Sequence, residues 1–154
     1  MFLVFQGIRR FVSLYHHKRT KQSAMITFQD IRTEINKIEN DLSIRMDCKL
    51  SFTDRACGSY SAKYRRISIS PKLNGTAMRF VLAHEIGHLL RFDFVDAVFT
   101  PEQEEEAADY IGSIVYSRVY GELPNHSAGE FHRKIRKPSD MVRDDIDNVL
   151  GYFL

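Results

Sequence analysis

The chain has 154 residues, 44% of them hydrophobic, with a formal charge of +2 and two cysteines. That length gives one domain with a real core, and the near-balanced charge argues neither for nor against nucleic acid. No run reaches the 18 apolar residues that a membrane span needs. Cys48 and Cys57 permit a disulfide, but a reduced intracellular protein fits such sparse cysteine usage better, so a cytoplasmic location is expected.

From Met1 to Gln29 there are five basic residues, Arg9, Arg10, Lys18, Arg19 and Lys21, and no acid. Met1–Phe5 has no charged region before it and no small-residue cleavage site after it, which makes a poor secretory signal. The stretch is compatible with an organellar transit peptide, a surface helix, or an extension upstream of a start at Met25. The expected organisation is a dispensable basic arm over residues 1–24 and a single domain over 25–154.

Thr27 and Asp30 supply a hydroxyl cap and a first-turn acid for a helix. Phe28, Ile31, Ile35, Ile38 and Leu42 recur along it at three-and-four spacing, a core-facing stripe. From Ile44 to Ser70 the period changes to two. Lys49–Phe52 and Arg65–Ser70 alternate and Gly58–Ser61 is short and turn-rich, so two or three antiparallel strands are expected, with turns near Asp54 and Ala62-Lys63. Pro71 and Asn74-Gly75 end the sheet.

A helix from about Thr76 to Phe92 carries Ala83-His84-Glu85-Ile86-Gly87-His88-Leu89-Leu90, an H-E-x-x-H pattern. Four residues of helix place His84 and His88 on one face, one turn apart, where two imidazoles can reach one tetrahedral ion, usually Zn²⁺. Glu85 lies beside them, close enough to move a proton on a metal-bound water without ligating the metal. The bland alternative is two surface histidines on an amphipathic helix. Against it stands the run Met78–Leu90, the most apolar helix in the sequence; buried histidines and a buried glutamate need partners, and a metal supplies them.

Thr100, Pro101 and Gln103 form a helix start of capping-box type, and Gly121 with Pro124 marks its end after Tyr120. Glu102, Glu104, Glu105 and Glu106 crowd the first turns, as a solvated face at the positive end of a helix dipole would. The metal wants a third protein ligand, and Glu105 shares a face with Ala108, Asp109 and Gly112. Small residues at 108 and 112 would let this helix approach Gly87 closely, so Glu105 is the expected third ligand. Asp109, one turn on, can accept the second N–H of a zinc-bound histidine. Beyond it, the basic segment His132–Lys137 reads as a solvated face rather than a partner site. Ser139-Asp140 caps a last helix with Met141, Val142, Ile146, Val149 and Leu150 apolar.

The run Arg79–Leu90, followed about twenty residues on by Glu104-Glu105-Glu106-Ala107-Ala108-Asp109-Tyr110, resembles the ImmA/IrrE family of zinc metallopeptidases, and Gly58-Ser59-Tyr60 with Ile67-Ser68-Ile69 resembles that family's glycine-aromatic hairpin. The resemblance covers roughly residues 28 to 120. It implies a zincin-like α+β fold of gluzincin type: a small antiparallel sheet, the H-E-x-x-H helix, and a following helix with a glutamate ligand. Aligned through Ala108-Asp109, the family's acidic motif places its first glutamate at Glu105 and its second at Ala107, a departure; the apolar extension after it is replaced by Ser113–Arg118. The resemblance also implies that Asp109 orients His84 in particular.

The expectation is therefore a Zn²⁺-dependent endopeptidase with His84, His88 and Glu105 as ligands, water in the fourth position, Glu85 as the catalytic base and Asp109 behind a histidine. Tyr60, Tyr64, Tyr110 and His126 are the candidate oxyanion donors. The strand over Arg65–Ser70 is the expected edge for an extended peptide. Known members of the family often cleave phage or mobile-element repressors, so the expected partner is a protein of DNA-binding repressor type, with no direct nucleic-acid or membrane binding. Two rivals remain. A deformylase-like amidase would use an upstream cysteine ligand, Cys57, and a non-catalytic zinc-stabilised module would hold a regulatory protein without cutting it.

Overall fold

The computed structural model describes residues 25–121, 136–151 and 154; the basic arm and His126 lie outside them. The first helix, α1 (Phe28–Leu42), opens on Thr27, whose hydroxyl accepts the N–H of Asp30 while the Asp30 carboxylate accepts that of Thr27. This reciprocal box satisfies two backbone donors that a helix start leaves open. Ile31, Ile35, Ile38 and Leu42 are buried as their spacing predicts. Phe28 is not: it is 48% exposed and stacks on Phe52 with ring centroids 4.1 Å apart. At the first turn it lies past the rim of the core, where another half-exposed ring is the apolar surface within reach.

Three short strands follow, β1 (Lys49–Phe52), β2 (Gly58–Ser61) and β3 (Arg66–Ile69), in the order β1-β3-β2. β2 pairs antiparallel with β3, but β1 runs parallel to β3, so the sheet is mixed where an antiparallel one was expected. Alternation decides which face of a strand is buried, not which strand lies beside it. Ile67 and Ile69, both fully buried, take β3 to the centre, and the β1–β2 connection passes from one side of it to the other. A second expectation falls with the first. β3 is paired on both sides and offers no edge to a peptide; the outer strands are β1 and β2. Cys48 and Cys57, immediately before β1 and β2, are both buried and not joined by a disulfide.

Helix α2 (Gly75–Phe94) starts at Asn74, whose side chain accepts the Ala77 N–H at 2.8 Å. Every residue from Phe80 to Arg91 is buried, so the helix is enclosed on all sides. Helix α3 (Pro101–Tyr120) has the full capping box of Thr100 and Gln103 and ends at Gly121, whose φ of 92° favours glycine. Helix α4 (Asp140–Leu150) packs on α3 and α2 through Val142, Ile146 and Leu150, while Met141 and Val149 face outward.

Glu34 of α1, nearly buried, accepts from Arg79 of α2 at 2.9 Å and from the Tyr120 hydroxyl of α3 at 2.8 Å. One carboxylate thus joins three helices. Burial and this bond hold the Tyr120 hydroxyl well above the ordinary phenol range. Among the described residues, no helix is long and apolar enough to cross a membrane.

Candidate metal centre

The fold brings His84, His88 and Glu105 together as one buried group of metal-ligand type. His84 Nε2 lies 3.1 Å from His88 Nε2 and 3.2 Å from Glu105 Oε2, and the third side, His88 to Glu105, is also 3.2 Å. Bonds of about 2.0–2.2 Å to a tetrahedral ion would set ligand atoms roughly 3.3–3.6 Å apart, so the triangle is close to one face of such a tetrahedron. Glu105 Oε1 is buried without a hydrogen-bond partner among the described residues. A buried carboxylate oxygen left unpaired is costly, and a cation at the triangle answers it. The donor set fits a metal.

Helix proximity builds this site. A Cβ placed on Gly87 would meet the Ala108 carbonyl oxygen at 2.5 Å, and one on Gly112 would meet the His84 Cα at 2.9 Å. Backbone touches backbone at both points, so α3 lies close enough for Glu105 to reach the histidines of α2. The neighbouring acids go elsewhere: Glu102 is exposed, and Glu104 pairs with Arg91 at 2.8 and 3.0 Å.

Asp109, one turn past Glu105 and 3% exposed, accepts from His84 Nδ1 at 2.8 Å. With that nitrogen protonated, the neutral ring carries its lone pair on Nε2, the atom in the triangle. Burial alone would lower the His84 pKa, but the bonds to Asp109 and Glu105 raise it above the ordinary imidazole value. Burial would raise Glu105, yet the two histidines hold it below the usual carboxylate range. A bound cation would take over the charge that the proton on the histidine supplies otherwise.

Glu85 is 1% exposed and belongs outside the triangle. It faces β2: a Cβ on Gly58 would fall 3.2 Å from the Glu85 Cγ and Oε1. Glycine here lets the strand backbone come up against this carboxylate. Ser70 N–H donates to the Cys57 carbonyl at 2.8 Å; by the alternation of an antiparallel ladder, Gly58 and Tyr60 then turn their own N–H and C=O away from β3. Cys57 itself is not part of the ligand group, which removes the deformylase-like arrangement.

Of the four tyrosine and histidine candidates for an oxyanion donor, Tyr64 is 52% exposed, Tyr110 donates its hydroxyl to Asp147 at 2.7 Å, and His126 lies outside the described residues. Tyr60 is buried, its hydroxyl has no hydrogen-bond partner among the described residues, and it shares a cavity with His88. That cavity, about 360 Å³, is completed by Ala62, Phe92, Phe99, Pro101 and Glu104.

Two residues at the site went unread in the sequence. Arg136, taken as part of a solvated basic face, donates its backbone N–H to Asp109 Oδ2 at 3.1 Å and brings its guanidinium within 3.5 Å of the same atom. No local pattern announces a contact across 27 residues. Arg91 had a signal: it is the one charge outside the motif between Phe80 and Phe92, an otherwise apolar run, and must find partners. It finds Glu104 and the carbonyls of Val95 and Ala97, both at 2.7 Å.

Two histidines one turn apart, a glutamate from the next helix and a carboxylate beside the triangle are the layout of a metallopeptidase of zincin type. The chain belongs to the peptidase family whose model is described as the IrrE N-terminal-like domain (Peptidase_M78), which matches residues 34–115. No curated protein and no solved structure matches the chain significantly.

Proposed function

We propose that the protein is a zinc-dependent endopeptidase that cleaves a specific protein partner, of the class of phage or mobile-element transcriptional repressors. The observation that carries the enzymatic part is the division of labour at the site. His84, His88 and Glu105 converge, while Glu85, equally buried, stands beside them and outside the ligand set. A purely structural metal site needs no such base and usually closes four protein ligands around the ion. Membership of the peptidase family supports the same reading; the repressor class rests on the family resemblance.

When bound, zinc polarises the scissile carbonyl and lowers the pKa of its water to about 7. Glu85 takes a proton from the attacking water and passes it to the leaving amine, the role its place next to Gly58 allows. Asp109 fixes the His84 ring, and Arg136 in turn engages the second oxygen of Asp109. The outer strand β2 replaces β3 as the edge on which an extended substrate pairs, through the outward N–H and C=O groups of Gly58 and Tyr60. Tyr60 is the candidate to meet the developing oxyanion. Metal analysis of the purified protein beside Glu85→Gln tests the reading: one zinc in both, with cleavage lost only in the variant.

A further inference from the structure

The cavity beside His88 has no role in holding a metal, and its chemistry is specific. Tyr60, Ala62, Phe92, Phe99 and Pro101 give it apolar walls, and Glu104 is its one carboxylate. That charge is already committed, because Arg91 holds both Glu104 oxygens at 2.8 and 3.0 Å. The same guanidinium bonds the Val95 and Ala97 carbonyls and lies 4.4 Å from the Phe99 ring centroid. Arg91 therefore fixes the loop after α2 as one wall of the cavity. His88 lines the same cavity, so a group seated there lies next to the triangle.

We propose that this cavity is the specificity pocket of the proposed peptidase and that it takes a large apolar side chain, aliphatic or aromatic, from a residue flanking the scissile bond. The inference rests on the peptidase reading. Its volume of about 360 Å³ lies at the small end of the roughly 300–1,000 Å³ usual for ligand pockets, which suits a single side chain with its adjoining backbone. A charged side chain would lose its hydration there and find no free counter-charge, since Glu104 is neutralised and His88 is turned to the triangle. Phe92 lines the cavity yet is 62% exposed, so it has apolar surface to give to an occupant.

The test uses the full-length zinc-loaded protein and phosphinic pseudo-dipeptides, in which a tetrahedral phosphinate replaces the scissile bond and one flanking side chain is varied at a time. Binding is read by calorimetry, not by turnover. An isobutyl or benzyl group on one side of the phosphinate should bind at least about tenfold more tightly than methyl, as burial of such a side chain allows. Carboxymethyl and aminobutyl should bind no better than methyl. Ala62→Phe, which fills the cavity, should abolish the advantage in protein that still holds zinc. Phe92→Ala, on an exposed position where folding is not at risk, should reduce it. A series that binds with no side-chain preference, or a preference that survives Ala62→Phe, overturns the pocket and leaves the peptidase reading standing. Failure of every compound, methyl included, to bind protein that holds zinc overturns both.

Discussion

A Cβ on Gly87 would lie 2.5 Å from the carbonyl oxygen of Ala108, so the two central helices meet backbone to backbone beside the histidines. Backbone oxygen cannot swing aside as a side-chain end can. Gly87→Ala should therefore push α3 outward and cost about 1–3 kcal/mol, the usual penalty for overpacking. Chemical denaturation of metal-free protein reads the stability, and zinc titration should show weaker binding as Glu105 retreats. Unchanged values in both would mean that the helices are not held this closely.

Glu105 is the acid that reaches the triangle, whereas Glu104 serves Arg91. Glu105→Ala should lower zinc affinity far more than Glu104→Ala or Glu106→Ala. Glu104→Ala should instead reduce stability by about 1–3 kcal/mol, because it strips the 7%-exposed Arg91 of its carboxylate. Competition with a chelator and thermal unfolding separate the two effects.

Much of this was legible because the periodicities were strong. The stripe from Ile31 to Leu42, the caps at Thr27 and Thr100, and the shared face of Glu105, Ala108, Asp109 and Gly112 are all local patterns, and local patterns survive into the fold. Strand neighbours are not local. The alternation of Arg66–Ile69 assigns Ile67 and Ile69 to the core but carries no signal that β1 would join β3 in parallel. The contact of Arg136 with Asp109 was hidden for the same reason: a basic residue in a charged run looks the same whether it meets solvent or a carboxylate 27 residues away. Tyr60 stood among four equal candidates until burial distinguished it.

Asp109 should matter through His84. Asp109→Ala removes the acceptor at 2.8 Å from Nδ1, and loss of such a partner typically costs 10–100-fold in metal affinity. Arg136→Ala leaves the backbone N–H that bonds Asp109 Oδ2 and removes only the 3.5 Å guanidinium contact. Its effect on affinity should be smaller than that of Asp109→Ala; an equal or larger loss would place the positioning in the guanidinium rather than the backbone.

The Tyr110 hydroxyl is raised to about 12 by burial and by its bond to Asp147, which ties α3 to α4. An unfolded tyrosine titrates near pH 10. The tie is thus fully present below about pH 10 and is lost as pH rises toward 12, because the unfolded chain releases its proton first. Urea unfolding at pH 9 and at pH 11 should show a fall in stability in the wild type that Tyr110→Phe reduces. The same fall in both proteins would assign it to other groups.

In the proposed reaction Glu85 acts as a base beside a metal held by other residues, and Glu85→Gln keeps its size while removing that function. Wild type and variant, each purified and assayed for zinc, are incubated with the soluble proteome of the source cells, and newly created N-termini are read by mass spectrometry. A base at Glu85 requires one zinc per chain in both proteins, with new N-termini from one or a few proteins in the wild type alone. General-base loss is worth about 10²–10⁴ in rate, enough to silence the variant over the same incubation. Equal zinc in both proteins and no new N-terminus that distinguishes them would contradict it and leave a zinc-stabilised binding module.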